Sequence, residues 1–147
     1  MPYTVKASGV KLPVASHDEK PASEMETYNL KGCRILVVED EPLIGMDIVA
    51  ALEDAGATVE GPVASIKETC AVIASSDFEA ALVDANLHGK PVGPIAEALT
   101  EHGVPFAFAT GYDKDGLPDG FQDRPILGKP AGPEQVVAMV ARLVSAH

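Results

Sequence analysis

Four short apolar runs, ILVV (35–38), AALV (80–83), VPFAFA (104–109) and RPILG (124–128), recur along the chain without alternating with polar residues. A strand with one wet face alternates, whereas an uninterrupted run has both faces covered. That demands a parallel sheet with helices on each side, and the intervening stretches supply the helices. Pro42 opens one, followed by Leu43, Ile44, Met46, Ile48, Val49 and Leu52 at helical spacing until Gly56. ATVEGPV (57–63) alternates as the second strand. Ser65 predicts a helix cap, with Glu68 completing a capping box ahead of a helix to residue 74. The stretch 91–103 reads as a helix begun by the Pro91 and Pro94 pair, and Pro133 opens a last one with Val136, Val137, Val140, Leu143 and Val144 on one face. The fold class is α/β, a doubly wound five-stranded parallel sheet.

One crossover breaks the rhythm. Between Thr110 and Arg124 the chain reads GYDKDGLPDGFQD, where glycines and a proline interrupt any helical face. A short or irregular fourth helix is expected there, anchored by Leu117 and Phe121.

Residues 1–33 show no sustained period, so a mostly disordered tail is expected there, with the domain over 34–147. Met25 leaves room for a later translation start. The chain has 147 residues, 46% of them apolar, enough for one well-cored domain. No apolar stretch nears the roughly 18 residues of a membrane span, and the N-terminus lacks a signal-type apolar region. A cytoplasmic location and no membrane partner are therefore expected. Cys33 and Cys70 lack metal-type spacing and read as reduced thiols. The tail's four lysines balance its four acids, so the whole net charge of −11 falls on the domain. Such a domain repels nucleic-acid backbones, which leaves proteins and cations as partners.

In an open parallel sheet the ligand site lies beyond the carboxyl ends of the strands. There the first strand ends in Glu39, Asp40 and Glu41, the third in Asp84 with Asn86 beyond, the fourth in Thr110 and the fifth in Lys129 before Pro130. Glu39, Asp40 and Asp84 should cluster, and carboxylates so close raise each other's pKa unless a cation intervenes. Hard oxygen ligands suit Mg²⁺. A metal site beside a lysine and a threonine suits phosphoryl transfer, with Asp84 as the nucleophile. Glu41 reads instead as a first-turn acid of the helix that follows.

The motifs LVVEDE, LVDANL, FATG and GKP, in this order on these strand ends, resemble the receiver domain of two-component response regulators (CheY-like). The resemblance covers residues 34–147. It implies a flavodoxin-like strand order 2-1-3-4-5, a phosphoacceptor at Asp84, and Mg²⁺ on Asp40, Asp84 and the backbone carbonyl of Asn86, with Glu39 acting through water. It further implies that Thr110 and Lys129 contact the phosphoryl oxygens and that Pro130 follows a cis bond. The stretch PFAFATGY (105–112) is similar to the FATGUY receivers of alphaproteobacteria, typically single-domain regulators tied to HWE or HisKA2-type histidine kinases and, in some cases, to general stress signalling. The implied partners are a histidine kinase and a protein target, with the chain itself a monomer and no output domain after the last helix. A receiver excised from a hybrid kinase would carry the same motifs.

Ordinary receivers carry Tyr or Phe where this chain has Ile126, so the usual coupling of threonine to an aromatic cannot run unchanged. Tyr112 is a candidate substitute and equally reads as a loop tyrosine. Together with the interrupted fourth helix, this points to switching by ordering a segment. A signalling receiver, not an enzyme beyond its own phosphorylation and dephosphorylation, is the favoured reading. A phosphohydrolase with Asp84 as nucleophile is the first alternative, weakened by Asn86 where a second acid is usual. The second is a pseudo-receiver docking module, which would be expected to have lost a site residue.

Overall fold

The computed structural model describes residues 28–111 and 116–146. Five parallel strands form one sheet: β1 (Arg34–Val38), β2 (Thr58–Val63), β3 (Ala80–Asp84), β6 (Phe106–Thr110) and β7 (Ile126–Gly128), in the order β2-β1-β3-β6-β7. This is the expected doubly wound order, because the two elements numbered between β3 and β6 form a separate hairpin, β4 (Asn86–Leu87) with β5 (Lys90–Pro91).

Alternation along each buried strand sends side chains to two cores. Ile35 and Val37 of β1 join Leu82, Ala107 and Leu127 under helices α1 (Pro42–Asp54) and α4 (Pro133–Ala146). Leu36 and Val38 join Val83, Phe106 and Phe108 under α2 (Ile66–Ser75) and α3 (Gly93–Glu101). Strands β1, β3 and β6 are buried almost throughout, as their uninterrupted apolar runs require.

Pro42 stands in the first turn of α1, and the Ser65 hydroxyl accepts the Glu68 N–H at 3.1 Å to cap α2. Helix α3 begins two positions later than the proline pair suggests. Pro94 is in its first turn, but Pro91 belongs to the hairpin. Leu30 and Cys33, on the tail side of the expected boundary, are fully buried, and the Leu30 N–H donates to the Ala55 carbonyl at 2.8 Å. The packed domain therefore starts before Arg34. Two isolated apolar residues carry no periodicity, so sequence pattern could not include them. The rest of the expected tail, residues 1–27, lies outside the described residues.

In the β6–β7 crossover, described residues 116–125 form no α-helix. Two turns hold them instead, closed by Phe121 N–H to the Pro118 carbonyl and Arg124 N–H to the Phe121 carbonyl. Leu117 is buried and Phe121 packs against the same core. The Arg124 guanidinium lies 4.6 Å from the centre of the Phe106 ring.

Strand β2 contains a feature that the alternating pattern hid. Its register against β1 shifts between Leu36 and Val38, at Gly61 and Pro62, whose peptide bond is cis. Gly61 has φ +129°, and a Cβ there would collide with the Val37 carbonyl oxygen, so only glycine fits. The displaced Pro62 packs on Gly45 of α1 so closely that a Cβ on Gly45 would lie 2.7 Å from its ring. Beyond the bulge the Glu39 N–H reaches the Val63 carbonyl at 3.0 Å, which fixes the chain where the acids begin.

Candidate functional site

The strand ends converge. One carboxylate oxygen from each of Glu39, Asp40 and Asp84 can be chosen so that all lie within 4.8 Å of one another. Lys129, beyond β7, places its ammonium 3.0 Å from Glu39 Oε1 and 3.5 Å from Asp84 Oδ1. Its own N–H donates to the Thr110 carbonyl at 2.9 Å, which ties the ends of β6 and β7 together. Thr110 is buried at the same edge, and the Lys129–Pro130 peptide is cis. Glu41 is exposed and precedes α1, its N–H donating to Glu39 Oε2 at 3.1 Å.

Each carboxylate has a different environment. Glu39 is buried at 2% exposure with Lys129 against it. Asp84 is buried at 6% exposure. Burial pushes its carboxyl up, and the Glu39 charge adds to this; the Asn86 N–H and Lys129 pull the other way, leaving it at about 7. Burial also works to raise Asp40, but the His88 N–H, Asp84 and the His88 ring outweigh it and hold Asp40 below its ordinary value. Lys129 loses charge stability through burial, yet Glu39 and Asp84 more than restore it and keep its pKa above the ordinary lysine value.

The donor set suits a small hard dication. Three carboxylates face one ammonium, every donor is oxygen, and Asp84 pays for its ionisation in the metal-free state. Asn86 N–H bonds Asp84 Oδ1 at 3.1 Å, and the Asn86 side chain is spent on the hairpin turn, accepting the Gly89 N–H at 2.6 Å. That leaves the Asn86 backbone carbonyl as the group the residue can offer to an ion.

His88, which the sequence presents as a loop residue with no phosphotransfer role, reaches the site through Asp40. It sits at the hairpin tip with φ +52°, followed by Gly89 at +78°, and its N–H donates to Asp40 Oδ2 at 2.9 Å while its ring Nδ1 lies 3.4 Å away. The dipeptide His88-Gly89 between Leu87 and Lys90 was the available turn signal. Ile126 is half-buried on β7 opposite Phe108 and packs against the second core. Tyr112 lies outside the described residues.

No protein-family model matches the chain. Over 114 residues it is 32% identical to the phyllosphere-induced regulator PhyR of Methylorubrum extorquens, covering 74% of this chain and 42% of that one. The chain thus spans less than half the length of that relative. SdrG of Sphingomonas melonis superposes with a TM-score of 0.67 at 39% identity, covering 76% of this chain and 96% of SdrG. A BeF3-activated conformation of SdrG matches with a TM-score of 0.65, over 76% of this chain and 95% of that one. The response regulator PhyR of Brucella abortus gives 0.67 at 26% identity, over 78% of this chain and 48% of that one.

Proposed function

The chain belongs to the receiver domains of response regulators, and from that premise we propose that it is a phosphorylation-controlled switch with Asp84 as the phosphoacceptor. One observation carries the reading: Asp84, buried at the end of β3, lies beside two further carboxylates with a lysine ammonium 3.5 Å away. The BeF3-activated form of SdrG supports it by relationship.

In this reading a kinase phosphohistidine is the donor. An Asp84 carboxylate oxygen forms a bond to phosphorus as the bond from phosphorus to the histidine nitrogen breaks. Asp40, Asp84 and the Asn86 carbonyl would hold Mg²⁺, with Glu39 assisting through water. A bound Mg²⁺ supplies positive charge against the phosphoryl oxygens. Lys129 offers a second positive charge, already aimed at Asp84, and the Thr110 hydroxyl a donor for the same oxygens. Because Ile126 cannot act as the usual swinging aromatic, the response is carried by the β6–β7 crossover, whose described residues 116–125 form no α-helix, with Tyr112 as its aromatic candidate. The output is a change of protein contacts in a two-component pathway, with a histidine kinase of the HWE or HisKA2 type upstream and a general stress response as its setting.

Acetyl phosphate with Mg²⁺ should add one phosphoryl mass to the wild type and none to Asp84→Asn. An unmodified wild type refutes the reading in favour of a docking module. Steady turnover of p-nitrophenyl phosphate refutes it in favour of a hydrolase.

A further inference from the structure

The hairpin also borders a second surface, and no acid lines it. A cleft of about 430 Å³ opens between the start of α2 and the hairpin, with Ile66 and Leu87 in its floor and Ser65, Lys67, His88 and Lys90 around it. The chain holds 22 acids against 11 lysines and arginines, so a cation here has acids to spare. Arg34 pairs with Glu60 at 3.8 Å and Lys129 with Glu39. Yet among the described residues Lys67 and Lys90, both exposed, make no ion pair. Two exposed lysines without an ion pair among the described residues leave the rim of this cleft positively charged. The first turn of α2 adds to this, because Ser65 caps only the Glu68 N–H and among the described residues no acceptor meets the two helix amides before it.

We propose that this cleft docks a segment of a partner protein that carries Asp or Glu around an apolar side chain. Charge complementarity with the lysine rim selects the acids, and the floor with its lysine stems selects the apolar anchor. An inorganic anion leaves the floor unused, and an uncharged apolar segment leaves the lysines unneutralised. A nucleic-acid backbone meets the net charge of −11. The site is separate from the phosphorylation chemistry proposed above but adjoins it, since His88 lines the cleft and also holds Asp40 through its N–H.

The test is an amide NMR titration of the full chain at low salt with a short synthetic peptide of leucine flanked by glutamates, beside a twin with lysine for glutamate. The amides of residues 65–67 and 87–90 should shift. Affinity should fall at least about fivefold in Lys67→Glu with Lys90→Glu, and the twin should not bind. Absence of shifts at these residues overturns the proposal, as does equal binding of the twin. Identical shifts from free glutamate at the same concentration would reduce the cleft to a simple anion site. Self-association of the wild type, abolished by the same double substitution, would make the occupant a second copy of the chain. Acetyl phosphate labelling of Asp84 is a separate measurement, so either conclusion can fail alone.

Discussion

Replacing Asp84 by Asn should stabilise the metal-free protein while abolishing phosphoryl acceptance. In the folded chain the Asp84 carboxyl sits at about 7, against an ordinary value of 3.8. A carboxyl raised on folding leaves the folded state holding more protons between these values, so stability falls as pH rises through that window. At about 1.4 kcal/mol per unit, the ionised side chain costs at most about 4 kcal/mol above pH 7. The amide removes that cost but must fit its NH₂ beside Lys129, an unsatisfied-donor penalty of about 1–2 kcal/mol. A net gain of about 2–3 kcal/mol at pH 8 is expected, a rise in Tm on the order of 10 °C. Between pH 5 and 8 the advantage of the variant should grow by about 2–3 kcal/mol, because the wild type loses what the variant never had. Urea unfolding in EDTA at both pH values measures it. A variant no more stable than wild type at pH 8, or an advantage independent of pH, would refute the assignment of charge strain to Asp84.

Mg²⁺ at millimolar concentration should raise the Tm of the wild type by mass action and leave Asp40→Ala with Asp84→Asn unchanged; scanning fluorimetry with an EDTA control reads this. Lys129→Met should cost about 2–3 kcal/mol in urea at pH 7.5, because it strips the partner from a Glu39 that is 2% exposed, and should also slow labelling by acetyl phosphate. Gly61→Ala should destabilise by about 2 kcal/mol or more, since φ +129° and the Val37 carbonyl leave no room for a methyl group. Gly45→Ala gains about 1 kcal/mol of helix propensity but must displace Pro62, and a net loss of about 1 kcal/mol is expected by thermal unfolding.

Burial on two faces made the sheet readable, because β1, β3 and β6 had to be apolar at all but an end position, Arg34, Asp84 and Thr110. The meeting of Glu39, Asp40, Asp84 and Lys129 was readable for a related reason: in a parallel sheet every strand ends at the same margin, so the residue after each apolar run is placed by topology alone. What escaped depends on backbone conformation and isolated contacts. The β2 bulge arises from one glycine at a positive φ within a run that otherwise alternates. Pro91 looked like a helix opener because a two-residue hairpin strand has no period of its own. Leu30 and Cys33 reach the core through single side chains, and the bond from His88 to Asp40 runs through a main-chain N–H that residue type does not announce.

The bulge in β2 bears on how this domain can meet other proteins. β2 is one margin of the sheet, and there Pro62 offers no N–H and the register breaks; the opposite margin, β7, is only three residues long. A long regular margin invites another chain to extend the sheet, which is a route to fibrous aggregation as well as to recognition. Neither margin here is such a template. On the function proposed above, in which the chain takes up a phosphoryl group and changes its protein contacts, margins of this kind keep it from joining a partner strand to strand, and its contacts fall to loops and helix faces that can let go.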